Sequence, residues 1–312
     1  MSLDEELREQ AQALGFARVR IARPEKLPVR RTHPQTLSLT GDPWEILPSV
    51  RAIVELVWPY RPYGAGRRAA LDAYYPASNA AHEAAIRMQD WLRERGYEAD
   101  MRAPLPRKPL AARSGLGKYG RNSLIAVDEL GSWVSLQCVL TSAPLPFDPP
   151  GEGEGFSSEC LNCRACMNAC PTGALSGDGE VNLDRCLRAQ PESEPVREEL
   201  RLAMGGSLLG CNLCQAVCPR NRAVRPAEPP EELLRALDLR ALLAGEYRPL
   251  IPFLGKNNAR KLRVQARACL MAAHDGRVDL LSEVRALETS DGEAVRVHAA
   301  WARQYLEDLL QK

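Results

Sequence analysis

Four cysteines, Cys160, Cys163, Cys166 and Cys170, with Pro171 directly after the last, limit what this chain can be built around more than any other feature. Thiolates this close can form a disulfide framework, hold zinc or hold an iron–sulfur cluster. The stretch CLNCRACMNACP follows C-x2-C-x2-C-x3-C-P, in which three near thiolates hold one 4Fe–4S cluster and the fourth reaches a neighbouring one. A shortened form returns as CNLCQAVCP at 211–219. Paired C-x2-C units can hold zinc, but a third cysteine followed by x3-C-P is hard to use tetrahedrally. Crossed ligation assigns Cys160, Cys163, Cys166 and Cys218 to a first cluster. Cys170, Cys186, Cys211 and Cys214 form the second. The remaining two, Cys138 in an expected strand and Cys269 in an expected helix, read as small buried hydrophobes.

A chain of 312 residues, 45% apolar and 26% charged, can bury a substantial core and form two or three packed regions. Net charge of +1 gives no whole-molecule reason to bind nucleic acid or membrane. The opening MSLDEELREQ reads as an acidic helix rather than a secretory signal. No run approaches the roughly 18 apolar residues of a membrane span. A cytoplasmic location with no membrane partner is expected, where thiols stay reduced and clustered cysteines hold metal.

Periodicity gives a helix over 3–15 ending at Gly15, a strand at ARVRIA and a second at AIVELVWPY. A helix over 78–95 is expected, capped by Ser78 or Asn79 and stopped at Gly96. SLIAV and WVSLQCVLT read as two strands joined through the tight turn DELGS. Residues 1–150 are therefore expected to form an α/β or α+β domain. The Pro- and Gly-rich PLPFDPPGEGEGFSSE reads as a linker, 151–225 as a double-cluster ferredoxin-like domain, and 226–312 as a helical tail. The tail segments 230–245, 256–274, 276–288 and 292–310 suggest stacked, HEAT-like hairpins, although no sequence period marks a repeat. A bare two-cluster carrier needs only about 60 residues. The rest of the chain must do something else.

With ALGFARVRIA, ILPSVRAIVELVWPY, SGLGKYGRNSLI, GSWVSLQCVLT and MGGSLLGCNLCQAVCPRN read together, the chain resembles the epoxyqueuosine reductase family. These are cobalamin-dependent iron–sulfur enzymes that complete the queuosine base in tRNA. More distantly it resembles corrinoid reductive dehalogenases. The resemblance implies a corrinoid-reductase fold, two 4Fe–4S clusters feeding cobalamin, an external electron donor of ferredoxin or flavodoxin type, tRNA as partner, and a monomer. It places Gly115, Gly117, Gly120, Arg121 and Asn122 beside the corrinoid, Arg121 standing where the family usually has lysine. Glycines there allow close approach to a flat macrocycle, and Arg121 and Asn122 supply donors. The same glycines can equally serve a helix-to-strand turn with positive φ. They also spell G-x-G-x-x-G, but RKPLAARS ahead of them reads as helix, whereas the dinucleotide fingerprint follows a strand. The basic run Arg102, Arg107, Lys108, Arg113, Lys118 and Arg121 either faces an anion or is a solvated helix face.

Three segments depart from the family pattern. Its proton-donating aspartate in D-[ST]-[AG]-P is here Met101-Arg102-Ala103-Pro104, with Asp100 one residue early and expected on the opposite face of an extended segment. YYPASNAAH keeps Tyr75 and His82 but loses the Arg-Asp-Tyr between them. LRAQPES follows Cys186 in place of Ser-Tyr-Leu-Thr-Ile-Glu. Candidates for proton transfer are His82, Tyr75, Tyr119 and Asp100, in that order. His33, His274 and His298 read as surface or packing residues. The expected function is a corrinoid-dependent reductase; the alternative is a corrinoid-binding or plain two-cluster electron-transfer protein.

Overall fold

The two apolar runs around residues 55 and 138 become the long central strands of one sheet. The computed structural model describes residues 1–29, 38–64, 70–151, 155–190 and 194–311; His33 lies outside them. In chain order the first part comprises α1 (Leu3–Ala13), β1 (Arg18–Ala22), α2 (Pro43–Ile46), β2 (Ala52–Pro59), α3 (Tyr74–Glu94) and β3 (Ala99–Asp100). These are followed by α4 (Arg107–Arg113), β4 (Lys118–Tyr119), β5 (Ile125–Ala126) and β6 (Val134–Thr141). Strands β1, β2, β6 and β3 lie side by side in that order, every pair antiparallel. Alternation sends Ile21, Val54, Leu56 and Val139 to one face, against Leu7 of α1 and Met88 and Leu92 of α3. Ile53, Cys138 and Leu140 face the other way, onto Leu105 and Leu110. Both faces are covered, so β2 reads as a nearly unbroken apolar run.

Local chemistry explains where the sequence reading missed. Helix α3 starts at Tyr74, four residues before the expected cap, and its N-cap Ala73 makes no side-chain bond. Instead the Asp72 carboxylate accepts from Tyr74 N–H at 3.0 Å, satisfying a first-turn donor from just outside the helix. The turn in DELGS forms, with Glu129 and Gly131 at positive φ. The strand before it, however, pairs backward: Ile125 and Ala126 lie opposite Tyr119 and Lys118, not β6. The stretch read as a linker is tied down as far as residue 151: Asp148 accepts from Ile21 N–H at 2.8 Å and from Arg8, and Gly151 N–H donates to Arg113 O.

Among the described residues the cysteine region is mostly irregular, with the short helices α5 (Ala165–Asn168), α6 (Glu198–Arg201) and α7 (Leu213–Ala216) and three single 3-10 turns between its loops. After it come α8 (Glu231–Ala236), α9 (Leu239–Ala244), α10 (Ile251–Asn258), α11 (Lys261–His274), α12 (Leu281–Ala286) and α13 (Glu293–Leu310). The single helix expected over 230–245 is broken at Asp238, whose carboxylate caps α9 by accepting from Ala241 N–H. Helices α11 and α13 pack as a hairpin, but α11 is buried from Arg263 to Ala273. It is the most deeply buried helix of the tail. Among the described residues no helix is long and apolar enough to cross a membrane.

His298 joins this cluster to the cysteine region. Its buried ring accepts from Val196 N–H through Nε2 at 2.9 Å, so Nδ1 carries the proton that reaches Ala266 O at 3.0 Å. Burial pushes its pKa down to about 4. Between that value and 6.5 the unfolded chain binds a proton that the folded chain refuses, so this stability is complete above pH 6.5 and is lost as pH falls toward 4. Denaturant unfolding of the purified protein at pH 7.5 and 5 should show His298→Gln losing less stability on acidification than the parent, by up to roughly 3 kcal/mol at full protonation.

Candidate functional site

Each of the eight clustered cysteines stands within electrostatic reach of at least one other, with Cys166 near Cys218 and also near Cys214. Cys218 stands close enough to Cys160 and Cys163, and Cys166 to Cys218 and Cys160, for each to disfavour ionisation of its neighbours. Cys211 stands in the same relation to Cys186 and Cys170. Burial first, and then Cys211 and Cys186, push Cys214 up to about 12. At Cys170 burial acts upward, but hydrogen bonds with Thr172 and from Ala174 N–H at 3.3 Å outweigh it and bring the pKa down. None of the eight is joined in a disulfide. Four half-buried sulfurs are poor company for one another as thiolates unless a cationic centre sits among them. Four thiolates without histidine, three of them in C-x2-C-x2-C spacing, fit a polynuclear iron centre better than one zinc ion.

A buried polar seam fastens these loops to the sheet. Asn221 Oδ1 accepts from Ser132 N–H at 2.7 Å, and its Nδ2 donates to Gln215 O at 2.7 Å and Ser132 Oγ at 3.0 Å. Gln215 Nε2 donates to Ser132 O at 2.8 Å. Gly131 lies against this seam: a Cβ there would come within 2.1 Å of Asn221 Oδ1. Asn221→Ala would leave Ser132 N–H buried without a partner and take from Gln215 O one of its two donors, the other being Cys218 N–H.

The glycine segment is split between two jobs. At Gly115, φ is +77° and an added Cβ would meet Arg20 Nη2 at 2.8 Å and Gly151 at 3.1 Å; at Gly117 it would meet Ile125 Cγ2 at 2.6 Å. Those two glycines make the helix-to-strand turn, and their faces are filled by the chain itself. Gly120, Arg121 and Asn122 instead line one cavity with Cys160, Cys163, Cys166 and Cys218. Arg121 Nη2 donates to Leu161 O at 2.9 Å, while its Nε is buried without a partner. Asn122 Nδ2 reaches Cys214 O at 3.5 Å, so this residue touches both sets of cysteines.

On the far side of the second set lies a group that the sequence reading missed. The Arg188 guanidinium stacks 4.0 Å over Tyr74 and 5.8 Å from the Tyr75 ring, and contacts buried Asp72 at 3.5 Å. Burial alone would lower the Arg188 pKa, but Tyr74 and Asp72 raise it. Asp72 is raised by burial against the pull of Arg188. Lys108, exposed as a residue, turns its ammonium inward to Ser123 O at 2.8 Å. There burial and the Arg188 charge push it down to about 8, against the pull of Cys186 and Cys214. Gly210, at φ +91°, lets the loop before Cys211 approach Asp72 and Tyr75; a Cβ would stand 2.5 Å and 3.0 Å from their side chains. Available signals were the Asp two residues ahead of α3 and the altered LRAQPES segment that carries Arg188.

The proton-transfer candidates do not converge. Tyr75 belongs to the Arg188 group. His82 is exposed further along α3. Tyr119 is a β4 residue whose carbonyl accepts from Ser157 N–H at 3.1 Å. Asp100, on β3, accepts from Arg102 N–H at 2.7 Å. Met101, which the sequence reading sets against the family's aspartate, is buried in the core with its N–H on Gln89 Oε1 at 3.1 Å. The basic run is largely engaged within the chain: Arg113 meets Glu25 and Lys26 O, while Lys108 and Arg121 bond to backbone carbonyls. Asn221→Ala should lower unfolding free energy by about 2 to 3 kcal/mol in denaturant titrations, with faster loss of iron from the reconstituted protein.

Comparison with known proteins fits this geometry. Residues 159–221 match the family model of the 4Fe–4S double cluster binding domain. Epoxyqueuosine reductase from Staphylococcus aureus is 31% identical over 203 residues, which are 62% of this chain and 52% of the relative. That from Vibrio cholerae is 42% identical over 122 residues, 38% and 32% of the two chains. The aligned region thus spans about half the length of the first of these relatives and less of the second. A structure of the Bacillus subtilis epoxyqueuosine reductase, with its catalytic aspartate loop swung out of the active site, superposes with a TM-score of 0.78 at 24% identity, covering 99% of this chain and 94% of that one. An epoxyqueuosine reductase bound to a modified tRNA stem loop gives 0.76, again at 24% identity with 99% and 94% coverage. A catabolic reductive dehalogenase gives 0.50 at 18% identity, over 90% of this chain and 36% of its own. The chain carries a 4Fe–4S double-cluster segment, is similar in sequence to epoxyqueuosine reductases, and has their mixed α and β fold across nearly its whole length.

Proposed function

We propose that this chain is an iron–sulfur reductase of the epoxyqueuosine reductase kind, acting on epoxyqueuosine in tRNA. The observation that carries the reading is the gathering of the eight cysteines, flanked by Asp72, Arg188, Lys108 and Tyr75. In this reading Cys160, Cys163, Cys166 and Cys218 hold one cluster and Cys170, Cys186, Cys211 and Cys214 the other. Residues 1–150 form the substrate domain, 151–225 the cluster domain and 226–312 a HEAT-like helical tail that extends the tRNA surface. One unspent donor fits an amide- and phosphate-bearing macrocycle, Arg121 Nε, which is buried without a partner; Lys108 lies within electrostatic reach of Arg188, Cys186 and Cys214. Arg121, Asn122, Lys108 and Arg188 are the residues proposed to hold a corrinoid. When bound, that group supplies a cobalt centre able to take electrons singly.

Reducing an epoxide to an alkene consumes two electrons and two protons and releases water. The clusters account for the electrons. With Met101 in the core, the phenol of Tyr75 is the proposed proton donor, held by its packing on Gly210 and near the Arg188 guanidinium. Arg188 also keeps positive charge beside the oxygen on which negative charge develops. The buried Met101 is what favours the second reading, an electron carrier without this activity.

Anaerobic incubation with epoxyqueuosine-containing tRNA and a chemical reductant, followed by nucleoside mass spectrometry, tests the assignment: queuosine should form. No product from protein with full clusters and added cobalamin would favour the carrier. Tyr75→Phe should lower turnover by about 100-fold or more while leaving iron content and tRNA affinity unchanged. Cys186→Ala should cut bound iron from about eight to about four atoms per chain and leave one reduced-cluster signal in electron paramagnetic resonance.

A further inference from the structure

One wall of the thiol cavity carries a positive charge that two other segments hold in place. Arg220, just past Cys218, lines the cavity with Cys160, Cys163, Cys166 and Cys218. Its side chain is 11% exposed. Glu159, directly ahead of Cys160, accepts from Arg220 Nε at 2.9 Å, and Asp128, in the turn before β6, meets Nη2 at 3.6 Å. The third nitrogen, Nη1, is buried and has no partner. The backbone beneath is fixed as well: Asn221 belongs to the seam on Ser132, and a Cβ on Gly131 would stand 2.8 Å from Arg220 O.

A buried guanidinium N–H needs an acceptor, since leaving it unmade costs its full desolvation. The cavity that Arg220 lines is walled by sulfur. Its influence already reaches them: burial pushes the Cys218 thiol up, and Arg220 opposes that through its backbone N–H and its charge. The two carboxylates do not cancel the charge. Glu159 is 65% exposed and Asp128 is 99% exposed, so water screens both, while the guanidinium acts from a place that water hardly reaches. At the other thiol set the guanidinium of Arg188 is instead offset by the buried carboxylate of Asp72.

We propose that Arg220 sets the reduction potential of one cluster: Nη1–H donates to a sulfur of the cluster on Cys160, Cys163, Cys166 and Cys218, and the guanidinium makes that cluster easier to reduce. Glu159 and Asp128 hold it in position. The inference rests on the two-cluster reading above. A 4Fe–4S cluster on four thiolates is anionic and gains a further negative charge on reduction, so a fixed cation and an N–H on sulfur both favour the reduced form. One electron enters the cluster, with no bond formed or broken and no proton moved. In a reaction that consumes two electrons delivered singly, a cluster held easy to reduce keeps one of them in store.

The test is an anaerobic redox titration of the iron-replete protein followed by electron paramagnetic resonance, with the signal of this cluster assigned in Cys186→Ala, where it stands alone. Arg220→Gln should make the cluster harder to reduce by about tenfold or more in its equilibrium constant, about 59 mV for one electron, while the second cluster moves far less. Arg220→Lys keeps the charge but loses the planar fork, and should shift the same cluster to a smaller extent; it also carries the test if Arg220→Gln binds iron poorly. A residue that merely clamps the loops would alter iron retention and leave the potential where it was. Either variant titrating with the parent at full iron content would therefore overturn the proposal, and so would an equal shift of both clusters. A parent without two reduced-cluster signals would overturn the two-cluster reading and this inference together.

Discussion

The seam formed by Ser132, Gln215 and Asn221 decides where the other parts of the site can be. Three side chains and their backbone partners exchange hydrogen bonds inside a region closed to water, where leaving any of them unmade costs the full desolvation of that group. Gln215 lies between Cys214 and Cys218, and Asn221 just beyond, so fixing them to the turn ahead of β6 fixes cysteines of both sets. The sheet itself is ordinary in its packing. Its consequence is that β6 and the turn before it present a rigid edge to loops with little regular structure of their own.

From that edge the site divides into an outer and an inner half. The outer half is a cavity walled by four cysteines and by Gly120, Arg121 and Asn122, with apolar side chains exposed around it. In the inner half Arg188 is set among Asp72, Tyr74 and Tyr75. Asn122 spans the two, lining the first cavity while reaching Cys214 O.

Glycine shows how one residue type carries different constraints within one segment. At Gly115 and Gly117 neighbouring chain already occupies the space of a side chain, and at Gly120, in the wall of a cavity, a Cβ would meet the nearby Asn122 Oδ1 at 2.7 Å. Gly210 has a third task, admitting the cysteine loop against Asp72 and Tyr75. The letters alone do not separate these cases, because the atoms that would clash come from Arg20, Gly151, Ile125 and Tyr75, all distant along the chain.

What the sequence by itself determined was local and periodic. The cysteine spacing foretold that these thiols lie close together, since loops of two and three residues leave sulfurs few directions to point. The β-branched and aromatic content of 52–59 and 134–141 likewise foretold the central strands, and Gly15 and Gly96 the ends of α1 and α3. The tertiary structure alone decided the pairing of Ile125 with Tyr119, the burial of Met101 and the placement of Arg188 over Tyr74. Each depends on contacts between residues far apart in the chain, whose energies exist only once the sheet and the loops have met. Asp72 belongs in the same class. Two residues ahead of α3 it satisfies a helix donor, and only the approach of Arg188 and Gly210 makes it part of a site.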